Sequence, residues 1–279
     1  MAQVTQSGTA TGFDVGSVNG PLVIDTNNNI FYDAQHGTGR YYLSFLSAAS
    51  SYQSDYEGIG RGSPNYNGIA MDSSGYAWAF GSTCTAPTAA YTIQRINPAA
   101  MLTTTGTSAT NVTLAANCAY QGAGDANGNM WTSDGTNLDY INIASSITAP
   151  TVNVAYTGGA GTGLITVNGL AVDGNGYVWA VNKGTATGVG SGGVAEFVTN
   201  GTTGTATLLS PTGTSAAPLN GFGSTSGLYQ GSPEGVAIDP SGNVWFSTVA
   251  GSFLYSIVGI AAPTRTPLAS MYAHIGTKP

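Results

Sequence analysis

Short runs in which apolar and polar residues alternate recur along the chain in pairs. The clearest pair is Asn168-Gly169-Leu170-Ala171-Val172-Asp173 followed, after Gly174-Asn175-Gly176, by Tyr177-Val178-Trp179-Ala180-Val181. Strand side chains point alternately to opposite faces, so a period of two predicts half-buried strands, and the Gly and Asn residues between the runs suit a tight hairpin turn. Copies of the unit occupy Asn19 to Tyr32, Asn67 to Phe80, Gln121 to Asp134 and Glu234 to Thr248. Each is followed by further alternating runs, such as Tyr41 to Leu46, Leu138 to Ile143 and Phe253 to Val258. Self-similar all-β units of this length predict an all-β fold, a single β-propeller over residues 1–279 with four-stranded blades.

The Asp that ends each first run sets the blade count. Asp25, Asp72, Asp125, Asp173 and Asp239 are separated by 47, 53, 48 and 66 positions, and the interval from Asp239 through the termini back to Asp25 is 65. None holds two four-stranded blades comfortably, so five blades starting near residues 19, 67, 121, 168 and 234 are expected, with six as the alternative if a degenerate blade occupies a long interval. The weakly alternating Ala2 to Ala10 is expected to close the ring as a strand of the last blade, hiding both sheet edges. The repeated Asp is expected to accept backbone amides of its turn. Trp78, Trp131, Trp179 and Trp245 share one register, which predicts packing between blades.

Composition adds a compartment. Only 7% of the 279 residues are charged and the net charge is −7, so the surface must rely on hydroxyl and amide groups for its hydration. Six Lys and Arg in all give no basic stripe, which argues against a nucleic-acid partner. No apolar run is long enough for a membrane span. Such a Thr- and Gly-rich acidic β-protein is expected outside the cell or at its surface, and Ala2-Gln3 suits the first residues left after signal-peptide cleavage. In an exported chain Cys84 and Cys118 are expected to form a disulfide, stabilising the fold by roughly 3–4 kcal/mol through restriction of the unfolded chain. Neither cysteine lies in a metal or redox motif.

One ring of residues stands out as a site. Asn19, Asn67, Gln121, Asn168 and Glu234 each immediately precede the Gly that opens an inner strand, so their oxygens are expected to converge at one mouth of the central channel. Hard cations such as Ca²⁺ accept carboxylate and amide oxygens, which makes these five residues candidate metal ligands, with Glu234 as the one carboxylate able to serve as catalytic base. A polar residue before Gly also simply satisfies a loop-to-strand turn, and both readings stand at this point. No nucleophile motif, phosphate-binding Gly loop or acid partner for His36 is evident.

The hairpins Asn168-Gly-Leu-Ala-Val-Asp and Pro233-Glu-Gly-Val-Ala-Ile-Asp-Pro-Ser-Gly-Asn-Val-Trp resemble the NHL-type and lyase/lactonase-like β-propellers of bacteria. The resemblance runs over about the whole chain and implies the propeller fold; one scaffold of this kind hosts many activities. The gluconolactonase group, similar in this respect, implies a divalent metal in the channel, with Asn19, Asn168 and Glu234 at matching positions. Asn19 replaces that group's Glu, and Glu234 its Asp. The virginiamycin B lyase group relies on a His/Glu cluster, whereas this chain has only His36 and His274, neither near such a motif.

Absence of a catalytic constellation and a Tyr-rich, weakly charged surface favour an extracellular, non-enzymatic binding or scaffold module. Its partners would be proteins or glycans at the cell surface, or other copies of itself in a self-associating surface or filament component. The alternative is a metal-dependent hydrolase or lyase, lactonase-like, at the channel mouth.

Overall fold

Five antiparallel sheets follow one another along the chain in a computed structural model. It describes residues 22–25, 27–35, 40–48, 55–62, 66–72, 74–81, 92–97, 109–113, 119, 121–143, 150–158, 164, 167–182, 192–211, 221–222, 233–248 and 253–264. Blade one contains β1 (Leu22–Ile24), β2 (Ile30–Gln35), β3 (Arg40–Leu46) and β4 (Asp55–Gly62). Blade two contains β5 (Tyr66–Met71), β6 (Ala77–Gly81), β7 (Thr92–Ile96) and β8 (Ala109–Thr113). Blade three contains β9 (Gly122–Gly124), β10 (Met130–Ser133), β11 (Leu138–Asn142) and β12 (Thr151–Tyr156). Blade four contains β13 (Val167–Val172), β14 (Val178–Asn182), β15 (Gly193–Asn200) and β16 (Thr205–Leu208). Blade five has three described strands, β17 (Pro233–Ile238), β18 (Val244–Thr248) and β19 (Leu254–Ile257). No α-helix occurs among the described residues, and none of these is therefore long and apolar enough to cross a membrane.

The recurring Asp explains why each first hairpin closes where it does. One carboxylate oxygen accepts the backbone amides two and four residues ahead, at 2.8 Å twice for Asp25, and at 2.9 and 3.0 Å for Asp173. Asp72, Asp125 and Asp239 repeat the pattern. The other oxygen accepts the indole N–H six residues ahead, at 2.9 Å from Trp78, 3.1 Å from Trp131, 3.3 Å from Trp179 and 2.9 Å from Trp245. Blade one has Phe31 at that position, and Asn29 Nδ2 donates to Asp25 instead at 2.7 Å. The turn Asp is structural, as its sequence context predicts, and it also orients the Trp that the next blade covers. In blade two the same carboxylate holds Arg95, at 2.8 Å from Nε, in a buried ion pair roofed by the Tyr76 ring.

Successive inner strands lie side by side, β1 by β5, β5 by β9, β9 by β13 and β13 by β17. Apolar layers fill the spaces between blades. Phe31 and Leu43 meet Ile69, Met71 and Ala77; Trp78 and Phe80 meet Met130 and Ile141. Trp131 and Tyr140 meet Leu170 and Val178, and Trp179 and Val194 meet Val244 and Phe246. β10 and β14 are buried along their whole length because both faces are covered.

Blade five departs from the expectation of four buried Trp. β18 alternates between buried and exposed residues, and Trp245 is 37% exposed where Trp78, Trp131 and Trp179 are fully enclosed. Its face is the one that a following blade would cover. Closure by Ala2 to Ala10 and the Cys84–Cys118 pairing fall outside the described residues.

Candidate functional site

The start of each inner strand carries the site residues, and the backbone there is irregular. In β5 the pairing jumps from Tyr66 opposite Gly81 to Gly68 opposite Phe80, leaving Asn67 as an extra residue. β13 does the same around Asn168, and β17 around Glu234 and Gly235. These are β-bulges, which re-aim a side chain out of the strand's regular alternation.

Two of the five expected residues approach the backbone of blade four, Gln121 through its side chain and Glu234 through its main chain. The Gly169 backbone is the meeting point: a Cβ there would lie 2.7 Å from the Glu234 carbonyl oxygen and 3.3 Å from Gln121 Oε1. Only a residue without a side chain lets the inner strands of blades four and five approach so closely. Next to it, Asn168 Oδ1 is enclosed and has no hydrogen-bond partner. A buried amide oxygen left without a donor costs about 1–3 kcal/mol, so this acceptor is open to a donor from water, a ligand or a cation. Gln121 is fixed from behind by Thr132, whose hydroxyl donates to the Gln121 carbonyl at 2.8 Å. Asn67 stands in β5 at the equivalent bulge, and Asn19 lies outside the described residues.

Oxygen chemistry dominates this mouth. Gln121 Oε1 and the Glu234 carbonyl oxygen both lie against Gly169, beside the amide of Asn168, and oxygens of this kind are the ligands that hard divalent cations accept. Among the described residues no group of three His, Cys, Asp or Glu forms a soft or carboxylate-rich metal cluster.

A second carboxylate lies at the same end of blade three. Gly122, next to Gln121, pairs with Thr132, and Thr132 pairs in turn with Asp139 of β11. Two strand spacings place Asp139 about 10 Å from the inner strand. It is completely enclosed, and neither carboxylate oxygen has a hydrogen-bond partner. Burial, and then the neighbouring Asp134 carboxylate, push its pKa up to about 7, with the Asp134 backbone amide offsetting part of the rise. Asp134 itself is engaged by Thr136, by the Asn137 backbone amide and by Asn137 Nδ2 in the β10–β11 turn. That turn reaches blade four, where Val167 N donates to Gly135 O at 3.2 Å immediately before Asn168. The signal for Asp139 was present in the sequence as a lone carboxylate inside Leu138-Asp139-Tyr140-Ile141, but strand alternation alone does not say that its face is covered.

The geometry of stacked four-stranded sheets has counterparts among known structures, while no protein-family model and no curated protein matches the chain. A streptogramin B lyase structure aligns with a TM-score of 0.51 at 15% identity, covering 81% of this chain and 60% of that one. A gluconolactonase from Xanthomonas campestris aligns with a TM-score of 0.53 at 13% identity, covering 85% and 70%. A luciferin-regenerating enzyme aligns with a TM-score of 0.52 at 13% identity, covering 88% and 74%. The chain thus spans less than two thirds of the length of the streptogramin B lyase. Likeness at these identities establishes the β-propeller fold of this chain and nothing finer, and the NHL resemblance stays one of hairpin sequence.

Proposed function

We propose that the chain is a propeller hydrolase or lyase whose site is the channel mouth of Gln121, Asn168 and Glu234, aided by a hard divalent cation such as Ca²⁺. The observation that carries this reading is the enclosed, unpartnered Oδ1 of Asn168 beside Gly169, where Gln121 Oε1 and the Glu234 backbone converge. That the similar folds include a lyase and a gluconolactonase supports it, in preference to a purely non-enzymatic scaffold. Gln121, Asn168 and Glu234 would hold the ion, with Asn19 and Asn67 joining from the equivalent positions of blades one and two. A bound divalent ion polarises an ester or lactone carbonyl and lowers the pKa of bound water. Glu234, the one carboxylate of the ring, would accept the proton released in the reaction. The amide oxygens of Asn168 and Gln121 would orient hydroxyl groups of the substrate by accepting their hydrogen bonds.

The test pairs binding with turnover. Ca²⁺, Mg²⁺ or Mn²⁺ should raise the melting temperature of the wild-type protein, and Asn168→Leu should remove that increment while leaving the ion-free melting temperature unchanged or raised. Glu234→Gln should abolish turnover on a panel of lactones and esters. No divalent stabilisation together with no turnover on the panel would sink the reading.

The second reading is an extracellular binding or scaffold module for cell-surface proteins, glycans or other copies of the chain. It is favoured by the apolar groups that blade five leaves exposed, Trp245 and Leu254 among them.

A further inference from the structure

The layer between blades two and three contains a carboxyl where the other blades have none. Directly opposite residues of paired strands share a face. Gly122 pairs with Thr132 and Thr132 with Asp139, and the next pair on that face, Met130 with Ile141, packs against Trp78 and Phe80 of blade two. The same places are Leu170, Ala180 and Ala195 in blade four, and Val236, Phe246 and Tyr255 in blade five, where they pack as apolar layers. Blade two has Ile69, Ala79 and Gln94 there, and blade one Leu22, Tyr32 and Ser44. A Cβ at Gly122 would meet the Phe80 ring at 2.1 Å, so blade two closes directly over the row, and Thr132 and Asp139 are both fully enclosed. Among the described residues, Asp134 is the charged group that acts on Asp139, through its carboxylate and its backbone amide. Of the strands packed around it, β5 to β9 and β12 carry no charged residue except Arg95, which Asp72 holds at the other end of the hairpin. Tyr140 and Tyr156 pack toward blade four.

Thr132 has one hydroxyl proton, and it goes to the Gln121 carbonyl at 2.8 Å. Directly opposite residues have Cβ atoms roughly 4.5–5.5 Å apart, so a change of rotamer can carry the same hydroxyl toward Asp139. A neutral carboxyl competes poorly for that proton, whereas hydrogen bonds to a carboxylate are about twice as strong as neutral ones. We propose that Gln121 and Asp139 compete for the Thr132 hydroxyl: with Asp139 neutral it clamps the Gln121 carbonyl, and with Asp139 ionised it turns to the carboxylate and frees the start of β9. Asp139 gives its proton to solvent in that step, and Thr132 keeps its own. The structure shows the neutral arrangement, with Thr132 bonded to Gln121 and no side-chain donor on either Asp139 oxygen. Burial without a counter-charge favours that form, up to about pH 7. The consequence for a ligand rests on the reading of Gln121 as part of the channel mouth. Release of its backbone loosens Gln121 Oε1 against Gly169, so binding there weakens as pH rises through about 7.

Hydrogen exchange of the ion-free protein, read by mass spectrometry over β9 and corrected for the intrinsic pH dependence of exchange, tests the clamp without any ligand. Between about pH 5.5 and about pH 8.5 the protection of this strand should fall about two- to tenfold in the wild type, the worth of one net hydrogen bond. Asp139→Asn cannot ionise and should keep the low-pH protection throughout. Thr132→Val should show the weaker protection at both pH values, while Thr132→Ser, which retains the hydroxyl, should follow the wild type. Circular dichroism of each variant shows that it is folded. Three outcomes overturn the proposal: protection of β9 that does not change with pH in the wild type, an Asp139→Asn protein that responds to pH as the wild type does, or a folded Thr132→Val protein as protected as the wild type at low pH. The increment that Ca²⁺ adds to the melting temperature, measured at the same two pH values, separates the clamp from the channel-mouth reading. A pH-dependent exchange with no increment at either pH supports the clamp and removes the mouth, and an increment without pH-dependent exchange does the reverse.

Discussion

At the scale of single residues, the carboxylates divide by what their oxygens meet. The five turn aspartates receive backbone amides, and four of them also receive an indole N–H; at Asp239 the Trp245 indole and then Asn243 hold the carboxyl well below the usual range. Asp139 receives no indole N–H, and burial outweighs the one backbone amide that acts on it, that of Asp134, raising its pKa from 3.8 to about 7. In the unfolded chain it ionises near the ordinary value, so between about pH 4 and 7 the folded state binds a proton that the unfolded state has released. Stability from this group is complete below pH 4, falls as pH rises to 7, and is flat above. Asp139→Asn removes the titration. Relative to wild type the variant should gain about 2–4 kcal/mol between pH 4 and 8, read from urea unfolding at each pH. Parallel pH profiles for the two proteins would count against the buried state of Asp139.

At the scale of elements, hairpins were legible and bulges were not. The Asp at the end of each first run and the positive-φ residue three positions later appear in the sequence as turn chemistry, with Gly176 at φ 83° in blade four and Asn28 at φ 63° in the matching place of blade one. Asn and Gly are the residues that tolerate that backbone, so the turn reads directly from the letters. The extra residue at Asn67, Asn168 or Glu234 reads only as a polar residue before Gly, because a bulge is defined by what the partner strand does. The approach of Gln121 Oε1 and the Glu234 backbone to Gly169 likewise depended on the distance between blades. Gly169 fixes that distance, which makes it testable. In Gly169→Ala the new methyl would lie 2.7 Å from the Glu234 carbonyl and 3.2 Å from Val236 N, both backbone atoms that cannot rotate away. Overpacking of this kind costs about 1–3 kcal/mol, so the melting temperature should fall by several degrees, with any divalent-ion stabilisation lost as well. Gly235→Ala is the control, since its methyl would meet only Ser247 Oγ at 3.4 Å. Equal melting temperatures for the two variants would refute the close approach of β13 and β17.

At the scale of the whole molecule, the same letter acquires different surroundings according to the blade that carries it. Trp179 and Trp245 follow their Asp by six positions and donate to it alike, so sequence placed them in one register correctly. What covers each ring is a neighbour's business. Trp179 packs near Phe222, with centroids 6.0 Å apart, and against Val244 and Phe246 of blade five, whereas Trp245 looks out from the last described blade. Solvent quenching of tryptophan fluorescence separates these cases. In dilute protein a neutral quencher such as acrylamide should reach one class of tryptophan and leave a protected class, and Trp245→Phe should remove the accessible class alone. If all four rings are equally protected, the partial exposure of Trp245 that sets blade five apart is refuted.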